Sequence, residues 1–409
     1  MVVSTIKSGA LALFKFKAFS LSLLLSFFLS FSLIGCGGDG GGGSSGGDDG
    51  IDMAIIAGYY HSFALSNDGK VYAAGYNEYG QLGLGDSGSE TDRSNFTEVT
   101  FLSDKNITAI ITGGAHSFVL SNDGKVYATG FNLIGQFGLG DNTDRNSFTE
   151  VTSISGISAI AAGDLYSFAL SNDGKVYATG DNHLGQLGLG DWTDRSNFTE
   201  VTFLSDKNIT AIITGNAHSF ALSNDSKVYA TGFNEYGQLG LGGNANRDNF
   251  TEVTFLSDKN ITAIVAGYYH SFALSNDGKV YATGYNDYGQ LGLGDWIDRS
   301  NFTEVTFLSD KNITAIITGG AHSFALSNDG KVYAAGYNGP GQLGLGDTTD
   351  HIDFTEVTSI SGVSAIAAGG AHSFALTNDG KVYATGRNDY GQLGLSDNTD
   401  RSNFTEVGF

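Results

Sequence analysis

The chain has 409 residues, with 60 Gly, one Pro, one Cys and a formal net charge of −22. The glycines follow no Gly-X-Y period, which excludes collagen, and one cysteine excludes an internal disulfide framework. The balance of 21 basic against 43 acidic residues excludes a non-specific phosphate-binding surface, and 41% hydrophobic residues exclude wholesale disorder.

Residues 1–35 read as an address. Lys7, Lys15 and Lys17 precede an apolar run from Ala18 to Ile34 that is broken by five serines. The run falls short of the roughly 20 residues of a bilayer span, and its basic-then-apolar layout is that of a secretory signal. It ends in Leu33-Ile34-Gly35-Cys36, which holds the sole cysteine. This resembles the bacterial lipoprotein signal and implies lipidation of Cys36; the alternative is an uncleaved membrane anchor. Removing residues 1–35 takes away three lysines and no acid, moving the net charge from −22 to −25. Residues 36–50 then form a Gly/Ser/Asp tether with a reach of roughly 20 Å. Gly37 does not resemble the aspartate that favours inner-membrane retention in such lipoproteins. The expected location is therefore the bacterial outer membrane or cell surface, with the lipid as the only membrane contact.

Residues 51–409 repeat one unit seven times. A marker position reads His61, His116, Tyr166, His218, His270, His322 and His372, at spacings of 55, 50, 52, 52, 52 and 50. A period near 50 signals a propeller or solenoid. Repeat five predicts four strands: Ile261–Val265, His270–Leu274, Lys279–Thr283 and Phe302–Val305. Ser275-Asn276-Asp277-Gly278 between the second and third is tight-hairpin chemistry. Repeat four carries Ser226 at the glycine of this turn, and a left-handed Ser there costs on the order of 1 kcal/mol. The fold class is all-β, a seven-bladed β-propeller with four-stranded antiparallel blades. The last strand is compatible with finishing blade seven in sequence order or with pairing beside residues 51–56.

The Trp-Asp signature of beta-transducin repeats is missing. The unit instead reads Ala-Gly-x-x-His-Ser-x-Ala-Leu, then Asp-Gly-Lys-Val-Tyr-Ala-x-Gly-x-Asn-x-x-Gly-Gln-Leu-Gly-Leu-Gly-Asp. This resembles the repeat of the regulator of chromosome condensation family across all seven units. The resemblance implies a propeller that binds proteins. The family's exchange and chromatin roles fit poorly with a −25 extracytoplasmic body. The clustered tryptophans of a plant photoreceptor in the family have no match in Trp192 and Trp296, the only two here. Secreted bacterial members include a β-lactamase inhibitor that caps its target with one propeller face.

Among chemical candidates, neighbouring side chains of a strand point to opposite faces, so His270 and Ser271 cannot form a nucleophilic dyad; the marker histidines read as packing and hydrogen bonding. Gly-Gln-Leu-Gly-Leu-Gly lacks the helix and lysine of a phosphate loop. The paired acids Asp191/Asp194, Asp295/Asp298 and Asp397/Asp400 could hold a hard cation, yet repeat four has Gly243 and Asn246 there. No metal ligand, cofactor or catalytic residue is assigned.

Antiparallel order puts the strand 1–2 and strand 3–4 loops on one face, where the copies differ most. That face carries the expected partner-binding residues Tyr59, Tyr60, Tyr76, Tyr79, Asp164, Asp181, Trp192, Tyr268, Tyr269, Tyr285, Trp296 and Arg387, because rigid aromatics with a polar tip serve recognition. The expected function is a non-catalytic, lipid-anchored binding or adhesion module, monomeric, for a protein with a basic surface and not for nucleic acid. Alternatives are a carbohydrate-binding propeller, or a hydrolase or lyase built on Asp164, Asp181 and His183.

Overall fold

The computed structural model describes residues 53–409; the signal, Cys36 and the tether lie outside the described residues. Seven antiparallel four-stranded sheets follow one another, spanning Met53–Glu98, Ile107–Glu150, Ile157–Glu200, Ile209–Glu252, Ile261–Glu304, Ile313–Glu356 and Val363–Glu406. In each, the strands pair in sequence order.

Blade five consists of Ile261–Ala266, His270–Ser275, Val280–Gly284 and Arg299–Glu304. The fourth strand starts three residues before the expected Phe302 because Arg299 pairs with Gly284 past an irregularity in register. The polar Arg-Ser-Asn start carries no apolar alternation, so pattern alone hides it. Between blades, Thr-Phe-Leu forms a single 3-10 turn in four linkers, which no periodicity foretold.

The core lies between blades. Every residue of the second strand His270–Ser275 is buried, because both faces of the sheet meet a neighbour. Phe220 and Leu222 of blade four pack with Ile264, Ala273 and Phe302 of blade five. At the ring's seam the same arrangement brings Phe374 and Val382 of blade seven against Ile55 and Phe96 of blade one.

Closure follows sequence order: Arg401–Glu406 pairs with Val382–Gly386, and the strand Met53–Ala57 pairs only with His61–Ser66. Blade one already owns a fourth strand, Arg93–Glu98, so among the described residues no strand is left to exchange. Ser226 has φ 64°, matching Gly278 at 80°; the repeat-four hairpin is left-handed as expected.

Candidate functional site

The marker histidines tie the ring together. His218 Nε2 lies 2.9 Å from Ser271 Oγ of the next blade, and that hydroxyl donates to Gln238 O at 2.9 Å. The serine proton is thereby used, so the imidazole Nε2–H donates and the ring is the neutral Nε2 tautomer. Both bonds recur from His61 to Ser117, His270 to Ser323, His322 to Ser373 and His372 to Ser62, and the imidazole–hydroxyl contact alone from His116 to Ser167. Tyr166 replaces the imidazole in blade three and donates to His218 O at 2.6 Å. The side chains of a His-Ser dipeptide do face apart, as expected; the pairs form between blades. All six imidazoles are fully buried, and burial lowers their pKa to about 3. A neutral imidazole that solvent cannot reach has no substrate to act on.

The acidic loops are built by a buried asparagine. Asn182 accepts at Oδ1 from Leu187 N–H, donates from Nδ2 to Asp191 O, and its own N–H donates to Asp194 Oδ1 at 2.8 Å. Asp191 Oδ2 meets Arg195 NH2 at 2.5 Å. The carboxylates set out as cation ligands therefore hold asparagine and arginine instead. Blade four keeps the same clamp with Asn246 Oδ1 and Gly243 O, which explains why its acids are dispensable. The Gly-Gln-Leu-Gly-Leu-Gly loop spends its amides inside the protein: Leu187 N–H donates to Asn182 Oδ1, Gly188 N–H to Gly185 O at 3.0 Å, and Gly190 N–H to Asp248 O of the next blade at 2.8 Å.

The strand 1–2 loops meet around the mouth of the central channel, in a cavity of about 140 Å³. Tyr59, Asp164, Asn216 and Tyr268 line it, and the equivalent positions of the other three blades are Gly114, Gly320 and Gly370. Those glycines make room. A Cβ on Gly370 would strike the Tyr59 ring, one on Gly320 would crowd Tyr268, and one on Gly114 would strike the Asp164 carboxylate. Tyr59 and Tyr268, from blades one and five, thus reach each other with ring centroids 5.3 Å apart.

From that contact an aromatic band runs both ways across the face. On one side Tyr59 meets Tyr60 at 4.0 Å, Tyr60 meets Tyr390 at 5.3 Å, Tyr390 meets Tyr76 at 4.8 Å, and Tyr76 leads through Tyr79 to Phe131. On the other, Tyr268 meets Tyr269 at 5.7 Å, and Tyr236, Tyr285, Tyr288 and Tyr337 follow. The Arg387 guanidinium lies 5.1 Å from the Tyr60 ring and 2.6 Å from Asp389. Burial, foremost, pushes the Tyr60 and Tyr76 phenols up to about 12, so both stay neutral donors.

Eight expected residues (Tyr59, Tyr60, Tyr76, Tyr79, Tyr268, Tyr269, Tyr285 and Arg387) therefore belong to one continuous surface. Tyr236, Tyr288, Tyr337 and Tyr390 join it; each lies in a strand 3–4 loop, and the signal for them was an aromatic at a varied position. Trp192 and Trp296 stand outside the band, 49% and 60% exposed. Asp181 and Asp164 part company. Asp181 bonds the His183 ring, with Asp194 3.7 Å from His183 Nδ1, whereas Asp164 belongs to the channel cavity. Asp181, His183 and Asp194 are the one group of metal-ligating side chains that converge among the described residues, and Asp194 already accepts from Asn182 N–H. The set Asp164, Asp181 and His183 expected for a hydrolase or lyase does not converge as one cluster.

The opposite face is more uniform. Phe101, Phe203, Phe255 and Phe307 are 41–47% exposed there, each beneath a lysine ammonium 5.3–5.6 Å from the ring.

A closed ring of seven four-stranded blades with its varied loops gathered on one face is a propeller of the protein-interaction type. Regulator of chromosome condensation (RCC1) repeats match residues 68–120, 173–222, 225–274, 277–326 and 329–376, and a second form of the repeat matches six segments from 54–81 to 363–392. The chain belongs to the RCC1 repeat family. It is 33% identical over 296 residues to the ultraviolet-B receptor UVR8 of Arabidopsis thaliana, covering 72% of this chain and 55% of the receptor. It is 38% identical to the probable E3 ubiquitin-protein ligase HERC4 of Rattus norvegicus, over 69% of this chain and 27% of the ligase. The chain thus spans about half the length of the first and less of the second. Prp20p of Saccharomyces cerevisiae, described with its binding to Gsp1p and histones, shares the fold at TM-score 0.75 and 21% identity, over 88% of each chain. Human WBSCR16 does so at TM-score 0.75 and 20% identity, over 83% of this chain and 95% of that one.

Proposed function

We propose that this protein is a non-catalytic binding module that holds a protein partner against the face of the strand 1–2 and strand 3–4 loops. The observation that carries this reading is the aromatic band, continuous from Phe131 through Tyr59 and Tyr268 to Tyr337. Large rigid aromatics concentrate binding energy at protein interfaces. The exposed rim adds Trp192, Trp296 and Ile297, the last 64% exposed. With 43 acidic against 21 basic residues, the molecule favours a partner with basic patches.

Attachment through a lipid on Cys36, at the outer membrane or cell surface, belongs to the same proposal. The first described strand starts at Met53 on the hairpin face and runs toward the loop face at Ala57. An anchor upstream of Met53 would leave the aromatic face turned away from the membrane.

The test compares the two faces. Protein held through a flexible N-terminal tag, with both faces free, is offered the same extract as wild type, as a Tyr79/Trp192/Trp296/Arg387→Ala variant, and as a Phe203/Phe255/Phe307→Ser variant. The first variant is expected to lose a captured partner that the second retains; the reverse overturns the assignment. Retention of protein partners with loss of glycan-array signal in Trp192→Ala and Trp296→Ala would favour carbohydrate binding by those exposed tryptophans.

A further inference from the structure

We propose that the cavity at the channel mouth is a receptor for one primary ammonium group, the side chain of a lysine on the protein partner. The proposal rests on the protein-binding reading of this face and specifies its central anchor.

Asp164 is the one charged residue that lines the cavity. Its side chain is half-buried, and its carboxylate has neither an ion-pair nor a hydrogen-bond partner among the described residues. The strand 3–4 loop aspartates Asp141, Asp191, Asp295 and Asp397 each hold an arginine at 2.5–2.8 Å, whereas the Asp164 carboxylate, in a strand 1–2 loop, has no such partner among the described residues. A buried unpaired charge is costly, and a cation that reaches it recovers that cost. Burial, with Asp181 nearby, holds the carboxyl above the ordinary carboxylate range, as expected for an anion that lacks its counter-ion.

Two further features select the kind of cation. Asn216 lines the same cavity; its Nδ2 donates to Tyr269 Oη at 3.4 Å, and its amide oxygen, buried without a partner among the described residues, becomes available when that side chain turns. The Tyr59 and Tyr268 rings stand at the mouth, giving a methylene stem apolar surface and the charge a π face. An ammonium has three donors on a slim stem, which suits one carboxylate and a ring face, with the Asn216 oxygen recruited when its side chain turns. A guanidinium presents five donors in a planar fork and would leave several unpaired here. One carboxylate among glycines also falls short of the six to eight oxygens of a calcium site.

The site exists because of what faces it. Gly114 admits the Asp164 carboxylate, Gly370 the Tyr59 ring and Gly320 the Tyr268 ring, so three blades give up side chains for three others to converge. Asp164 has no counterpart in the other six copies, which place Tyr, Gly or Asn at this position. That asymmetry gives a seven-fold ring a single cationic seat at its centre.

The experiment titrates the full-length protein with Nα-acetyl-L-lysine methylamide, read by calorimetry and tyrosine fluorescence. The norleucine and arginine analogues and sodium chloride are run in parallel. Saturable binding of the lysine analogue in the millimolar range is expected, with none for norleucine and a weaker response for arginine. Asp164→Asn keeps the shape and should weaken binding at least tenfold, while the neighbouring Asp181→Asn should change it less than threefold. The proposal is overturned by absent saturation, by arginine binding as well as lysine, by an equal response to sodium, or by equal losses in the two aspartate variants. Gly114→Ser, which crowds the Asp164 carboxylate from the adjacent blade, should weaken binding too; unchanged affinity also counts against the site. Failure of the amine titration while the Tyr79/Trp192/Trp296/Arg387→Ala variant still loses its partner removes the ammonium seat and leaves the face assignment standing. Retention of the partner by that variant removes the face assignment itself.

Discussion

His372 Nε2 lies 2.9 Å from Ser62 Oγ, a residue 310 positions earlier in the chain. The bond joins blade seven to blade one, across the only interface of the ring whose blades are not consecutive in sequence. Ser62 also donates to Gln392 O at 2.9 Å, and both partners are fully buried.

Ser62→Ala should therefore destabilise the whole ring. It leaves an imidazole N–H and a carbonyl buried without partners, which costs about 1–3 kcal/mol. Ser103→Ala, at an exposed linker hydroxyl, should stay within about 0.5 kcal/mol of wild type. Equal midpoints for the two variants in urea titrations would mean that the seam does not depend on this bond.

The same histidines make stability depend on pH. Each folded imidazole has its pKa lowered to about 3 by burial, against 6.5 when free. Between those values the unfolded chain binds more protons than the folded one, so stability falls as pH falls from 6.5 toward 3. Each histidine contributes about 1.4 kcal/mol per pH unit, and six of them would exhaust an ordinary domain's 5–15 kcal/mol within about two units. The hairpin aspartates are depressed below the usual carboxylate range by their serine bonds, so their share is lost at lower pH and leaves the upper window to histidine. Circular dichroism melts at pH 7, 6 and 5 should show a steep loss of midpoint; a flat profile would show that these rings are not held neutral.

Local features of this fold could be read from the residues, and distant ones could not. The seven-fold period, the four strands and the left-handed turn at Ser226 each sit within one repeat, where spacing and turn chemistry express them directly. The partner of His218, by contrast, is Ser271 of the next blade, and only the closed ring sets that distance. Asp191 and Asp194 looked like cation ligands because the organising residue, Asn182, lies nine and twelve positions away. The varied positions marked the face on which the aromatics gather, yet the contact between Tyr59 and Tyr268 depends on glycines in blades six and seven. Large side chains were visible in the text; the empty positions that let them meet gained meaning only in three dimensions.

Two serines test the backbone account. Ser226 and Ser396 have φ of 64° and 66° where the equivalent positions are otherwise glycine. Ser226→Gly should stabilise by about 1 kcal/mol, the cost of a left-handed L-residue. Ser396 differs, because its hydroxyl bonds Asn95 Oδ1 across the ring seam. Ser396→Gly gains a similar amount in the backbone and loses a bond worth about 1 kcal/mol, so its midpoint should barely move. A stabilisation equal to that of Ser226→Gly would mean the hydroxyl contact is idle.

Exposure separates recognition from packing on the aromatic face. Trp296 is 60% exposed and makes no aromatic contact among the described residues, whereas Tyr268 is half-buried and packs on both Tyr59 and Tyr269. Trp296→Ala should leave thermal stability within about 0.5 kcal/mol and weaken a partner that uses this face by tenfold or more, the scale of an aromatic hot spot. Tyr268→Ala should cost on the order of 2 kcal/mol of stability and also open the channel mouth. Surface plasmon resonance beside melting curves would resolve the pair. If Trp296→Ala leaves affinity unchanged while Tyr268→Ala lowers it in proportion to its loss of stability, the aromatic band holds blades together and the partner binds elsewhere.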